Sequence, residues 1–163
     1  MQNFENMGWD PQTIGELDHR VLSAPHLKLR SAVKGSCGDV VYSVDLRIKS
    51  PNKSFMSILE MHSMEHFLLK GFKKYLPDNF ISIGLMGCQT GFYLILLNEG
   101  RQSVIMDAFE KVLRDILSAD EVPYNKIDQC GNYLNHDLAL VQSLAEGLLE
   151  KKSTWRQVVL EDS

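Results

Sequence analysis

The chain lacks several features that would assign it to a large class of protein. No apolar run among its 163 residues approaches the roughly 18 needed to cross a bilayer. Its first residues, Met1-Gln2-Asn3-Phe4-Glu5-Asn6, lack the basic-then-apolar order of a secretory signal, so a cytoplasmic location is expected. Lysine and arginine number 17 against 21 aspartates and glutamates. The basic residues are scattered, leaving no stripe to track a phosphate backbone and giving no footing for nucleic acid. Cysteines are few and odd in number, at 37, 88 and 130. No two lie close, which argues against a disulfide scaffold and for thiols used as thiols. There is no internal repeat, low-complexity tract or linker, so residues 1–163 are expected to form one domain.

What is present is 44% hydrophobic and 23% charged residues, the balance of a globular protein. Residues 1–25 read as irregular, punctuated by Gly8, Pro11, Gly15 and Pro25. A strand is expected over 26–34. A clearer one follows, in which Val40, Tyr42, Val44, Leu46 and Ile48 alternate with Val41, Ser43, Asp45, Arg47 and Lys49. Period two means one buried face and one wet face, and Asp45 and Arg47 should face solvent or a site. After Pro51-Asn52, Ser54 is a reasonable N-cap for a largely buried helix over about 55–75. Short apolar strands are expected at 80–86 and 91–97, and helices over 104–117 and about 136–151. Strands and helices mix without regular βα alternation. The expected fold is therefore an α+β sandwich, a mainly antiparallel sheet packed with helices.

His62-Ser63-Met64-Glu65-His66 carries the clearest chemistry. Helical positions i and i+4 share a face, so both imidazoles can grip one metal ion with Glu65 beside it. The alternative is three polar groups scattered on a surface helix. The apolar surroundings speak against that, because buried titratable groups need partners. Cys130-Gly131 supplies a possible third ligand. Spacing alone favours a small buried thiol there, but a ligand would leave the open fourth position of a catalytic centre. His136-Asp137 is either an outer partner of such a site or a helix start. In Gly87-Cys88-Gln89-Thr90-Gly91 the thiol stands at a tight turn where it can be exposed and aimed, or it is an ordinary hairpin cysteine. Cys37 reads as a surface thiol, and Glu16-Leu17-Asp18-His19 says little alone.

Taken in order, these patches resemble the S-ribosylhomocysteine lyase (LuxS) family from about Gly15 to Trp155. The resemblance is carried by Leu17-Asp18-His19, Ala24-Pro25, Asp45-Leu46-Arg47, Pro51-Asn52, His62 to His66, Met86 to Leu94, Gln129-Cys130-Gly131 and His136-Asp137. It implies an α+β homodimer with shared active sites. It also implies a single divalent ion, Fe²⁺ with Zn²⁺ or Co²⁺ as alternatives, held by His62, His66 and Cys130. Glu65 and Cys88 match the family's acid/base pair, and His19 and Arg47 match substrate-site positions. The implied reaction moves a sugar carbonyl stepwise and then eliminates homocysteine. Two places depart from the family pattern. Ile14 stands where a serine is usual, and Ser82 with Gly84-Leu85 replaces an aspartate and a Ser-Pro pair. A divergent relative acting on another sugar thioether or polyhydroxy carbonyl, or a metal-binding module without activity, is the alternative. A metallopeptidase of the H-x-x-E-H type fits less well, since such enzymes usually take a downstream glutamate as third ligand.

Overall fold

The alternation of residues 40–47 determines the layer around which the protein is built. A computed structural model describes residues 3–160. Strands β1 (His26–Lys34), β2 (Val40–Arg47), β3 (Phe80–Leu85) and β4 (Gly91–Leu97) form an antiparallel sheet in the order β1-β2-β4-β3. On one face Leu27, Leu29, Tyr42, Val44, Leu46, Phe92, Leu94 and Leu96 are buried. Helices α1 (Ile58–Tyr75), α2 (Gln102–Leu117) and α3 (Leu138–Glu150) add Met64, Leu68, Phe72, Phe109, Val112, Ile116 and Val141 to the same core. Burying each such side chain is worth roughly 1.5–3 kcal/mol. The architecture is an α+β fold with a four-stranded antiparallel sheet, in agreement with the expectation from the sequence. Among the described residues, no helix is long and apolar enough to cross a membrane.

One local reading is corrected and another, which left two outcomes open, is decided. Helix α1 begins after Ser57, not Ser54. The Ser57 hydroxyl accepts from the Glu60 N–H at 3.2 Å, and the Glu60 carboxylate accepts from the Ser57 N–H at 2.7 Å. That reciprocal pair satisfies two orphan donors at once. Ser54 instead accepts from the Ser50 N–H at 3.2 Å and tightens the preceding turn. For β2, the structure decides between solvent and a site in favour of a site. Its outer face is half-buried at Val41 and Ser43 but closes over completely at Asp45 and Arg47, each only 3% exposed. Those two charges are not solvated; they pair with one another.

Helices α1 and α2 meet at Gly71, where an added Cβ would overlap the Val112 side chain. Replacing Gly71 with alanine is therefore expected to lower stability by about 1–3 kcal/mol through overpacking. A urea melt with an unchanged midpoint would show that the helices separate without cost.

Candidate metal centre and thiol site

The i,i+4 spacing places His62 and His66 on one face of α1, with ring centroids 4.6 Å apart. Each ring is fixed at Nδ1 by a backbone carbonyl. His62 Nδ1 lies 3.0 Å from the Asn135 carbonyl, closer than the Asn135 side-chain amide at 3.2 Å. His66 Nδ1 lies 2.7 Å from the Pro123 carbonyl. A carbonyl can only accept, so both Nδ1 atoms donate and both Nε2 atoms are left with a free lone pair. The loop of residues 130–137 closes over this face. Cys130 Sγ stands 3.4 Å from His62 Nε2 and accepts from the Asn132 N–H, also at 3.4 Å. His136 Nε2 lies 3.8 Å from the same sulfur. One ligand atom from each of His62, His66, Cys130 and His136 lies within 4.8 Å of the others. This group can hold a metal ion, and its borderline-soft nitrogen and sulfur donors suit a first-row transition metal. Burial first, then the neighbouring His62 and His66, together push the His136 imidazole down to about 4.

The loop is pinned on both sides of His136. Asn135 holds His62, and the Asp137 N–H donates to the Ser63 hydroxyl at 2.9 Å. Asp137 then caps α3 by accepting from the Leu140 N–H at 2.9 Å. Glu65 is half-buried on α1, immediately before His66 in sequence.

A second group forms around Cys88, in the turn between β3 and β4. Gln89, in the left-handed region at φ 62°, sharpens that turn, and its carbonyl accepts from the Met56 N–H at 2.9 Å. The Thr90 carbonyl accepts from the Ile48 and Lys49 N–H groups at 2.8 and 2.9 Å. The thiol is exposed and lies 3.0 Å from the Thr90 hydroxyl. Arg47 directs one nitrogen to that hydroxyl at 2.6 Å and to Cys88 Sγ at 4.0 Å. Its other terminal nitrogen bonds Asp45 at 2.6 Å. Burial by itself raises the Cys88 thiol. The Thr90 hydroxyl and N–H, followed by Arg47, outweigh it and hold the thiol below its ordinary value. A thiol so placed deprotonates more readily.

Exposed His19 lies on the N-terminal segment and borders a cavity of about 60 Å³ with Glu16, Lys28, Asp45, Arg47 and Tyr93. The structure thus gathers His62, His66 and Cys130 into one cluster, and Cys88, Arg47 and His19 around a second region. Among the described residues, no hydrogen bond or ion pair joins the two. Ile14 packs against the apolar core. Exposed Ser82 pairs across the sheet with Ile95, and Gly84 with Tyr93. Thr90 and Asp45 had no separate role in the sequence reading. The place of His136 was left open there, between an outer partner of a metal site and a helix start.

Comparison with known proteins adds a third line. Residues 15–159 match the sequence pattern of a family described as S-ribosylhomocysteinase (LuxS). The chain is 40% identical to an S-ribosylhomocysteine lyase of Halobacillus halophilus over 142 residues, covering 87% of this chain and 93% of that relative. It is 41% identical to one from Dichelobacter nodosus, covering 87% and 92%. A Helicobacter pylori lyase, strain Shi470, is 38% identical, covering 87% and 91%.

Proposed function

Since the chain belongs to the S-ribosylhomocysteinase (LuxS) family, we propose that it is a carbon–sulfur lyase cleaving S-ribosylhomocysteine to homocysteine and dihydroxypentanedione, the precursor of a quorum-sensing signal. The observation that carries this reading is the nitrogen and sulfur donor cluster on α1 and the 130–137 loop, present in a chain whose Cys88 is separately activated. His62, His66 and Cys130 would hold one Fe²⁺, with Zn²⁺ or Co²⁺ able to replace it. The ion, when bound, supplies a Lewis acid that favours charge development on sugar oxygens.

The protein's own residues move the protons. Cys88, kept poised by Thr90 and Arg47, and Glu65 take protons from carbon and return them to its neighbour. The carbonyl of the open-chain sugar thereby passes from C1 to C2 and then to C3. The C4 proton is then acidic and the thioether sulfur on C5 is β to the new carbonyl. Removal of the C4 proton expels the sulfur, which takes up a proton and leaves as homocysteine. Arg47 and His19 orient the substrate.

The two regions are proposed to meet in a homodimer, the metal cluster of one copy facing the thiol region of the other. Their separate hydrogen-bond networks within one chain support this, as do exposed apolar residues such as Val33 and Ile81 on the sheet. Light scattering at micromolar concentration is expected to give a mass near twice the 18.5 kDa chain. A mass near that of one chain would contradict the shared site.

The activity is tested by incubating metal-loaded protein with S-ribosylhomocysteine and titrating free thiol. Thiol release supports the assignment. Full metal content without thiol release favours a second reading, a related sugar thioether as substrate. Ile14, partly buried against the core, and Ser82 favour that reading, since they replace the serine and the carboxylate that the family usually offers.

A further inference from the structure

We propose that Asp45 is a positioning residue for the reactive thiol, holding the Arg47 guanidinium so that its far nitrogen stays against Thr90 and Cys88. The role of Cys88 is taken from the proton-transfer reading above, and that of Asp45 is additional to it. Among the described residues, Asp45 makes no hydrogen bond to Cys88 or to the donor cluster; it acts through Arg47.

Side chains two apart on a strand share a face, so Asp45 and Arg47 emerge together at the end of β2, both buried. One terminal nitrogen of Arg47 donates to Asp45 Oδ2 at 2.6 Å, and the other to the Thr90 hydroxyl at 2.6 Å. Arg47 Nε is buried without a partner. Only the contact to Asp45 joins opposite charges, and charge-assisted hydrogen bonds are roughly twice as strong as neutral ones. Asp45 is therefore the anchor of the guanidinium, and Thr90 sets its direction. The carboxylate has no second task, since its Oδ1 is buried without a hydrogen-bond partner. Replacing a buried ion pair by apolar side chains is often neutral or stabilising. Stability thus does not account for this pair, whereas the aim of Arg47 at Cys88 does.

The surrounding charges make Asp45 hard to replace. On β1, Lys28 stands opposite Asp45 and His26 opposite Arg47, and both are buried. Lys28 donates to the Gly15 carbonyl. Burial pushes the His26 imidazole down to about 4, so near neutral pH it adds no charge. On β4, Tyr93 stands opposite Asp45. On the N-terminal segment, exposed Glu16 pairs with Arg30, and exposed His19 borders the same cavity. The buried layer therefore holds two cations, Lys28 and Arg47, and one carboxylate between them. Without that carboxylate the two cations repel, and Arg47 loses its ion pair.

Alkylation of Cys88 by iodoacetamide across a pH series, followed by peptide mapping of the metal-loaded full chain, reads the thiol independently of turnover. Asp45→Asn keeps the shape of the side chain and removes its charge. Loss of a negative charge near a thiol by itself favours the thiolate, so a purely through-space effect lowers the midpoint of the profile. A displaced guanidinium raises it. The expected result is a rise of at least about one pH unit, or about tenfold less thiolate at a given pH below the midpoint. An unchanged or lower midpoint would overturn the proposal. The double variant Lys28→Met, Asp45→Asn keeps the net charge of the buried layer and carries the same test if the single variant does not fold. Its midpoint should rise as well, and one at or below that of the natural protein would overturn the proposal. A raised midpoint in a protein whose natural form releases no thiol from S-ribosylhomocysteine would support the positioning role and overturn the lyase reading alone.

Discussion

Replacing His62 with alanine is expected to strip the protein of its metal and, with it, of turnover. His62 does more than offer one nitrogen. Its Nε2 is the imidazole nitrogen 3.4 Å from Cys130 Sγ, and its Nδ1 ties α1 to the loop at Asn135. Removing the ring takes away a donor and releases the segment that carries Cys130 and His136. Loss of a hydrogen-bond partner to a metal ligand alone typically costs 10- to 100-fold in metal affinity, and loss of the ligand itself should cost at least about that much. Elemental analysis after dialysis against a chelator should find little metal in His62→Ala and close to one equivalent in the unaltered protein. A full equivalent in the variant would move the metal site elsewhere. The fold should survive, because His62 is half-buried at the edge of a helix whose core side chains are Met64, Leu68 and Phe72.

The second large effect separates proton transfer from metal binding. Cys88→Ala and Glu65→Gln should each lower the rate of thiol release by roughly 10²- to 10⁴-fold, the usual worth of a general acid or base. Neither change should reduce the metal content. Cys88 lies in the Thr90–Arg47 network, apart from the donor cluster, and its loss removes a thiol held below its ordinary value. Cys88→Ser keeps the hydrogen bond to Thr90 but not the acidity, so it should remain close to the alanine variant in rate. Near-normal turnover in either Cys88→Ala or Glu65→Gln would exclude that residue from the proton path. Loss of metal in Glu65→Gln would instead make the carboxylate part of the coordination sphere.

Much of this was legible without the fold because it depends on short-range geometry. Period two from Val40 to Leu46 is a property of a single strand. The pairing of His62 with His66 follows from 3.6 residues per turn, whatever surrounds the helix. The glycines flanking Cys88 announce a turn by their own conformational freedom. The start of α1 was also written locally, since Ser57 and Glu60 form the S-x-x-E pattern. Reading the helix from the Pro51-Asn52 break missed it.

The tertiary structure decided everything that depends on which distant segments meet. Asp45 and Arg47 alternate as a wet face should, yet they are buried. The N-terminal segment and the Thr90 turn come to lie over them, and nothing within β2 encodes that cover. Cys130 by itself could be an ordinary buried thiol. It becomes a candidate ligand because the 130–137 loop returns to α1 and places its sulfur beside a ring 68 residues earlier. His136 joins the cluster for the same reason, its neighbours on both sides being fixed to α1. Periodicity specifies which face of an element a side chain occupies. Coordination requires donor atoms to converge within a few ångströms, and only packing of the whole chain brings residues so far apart in sequence to that distance.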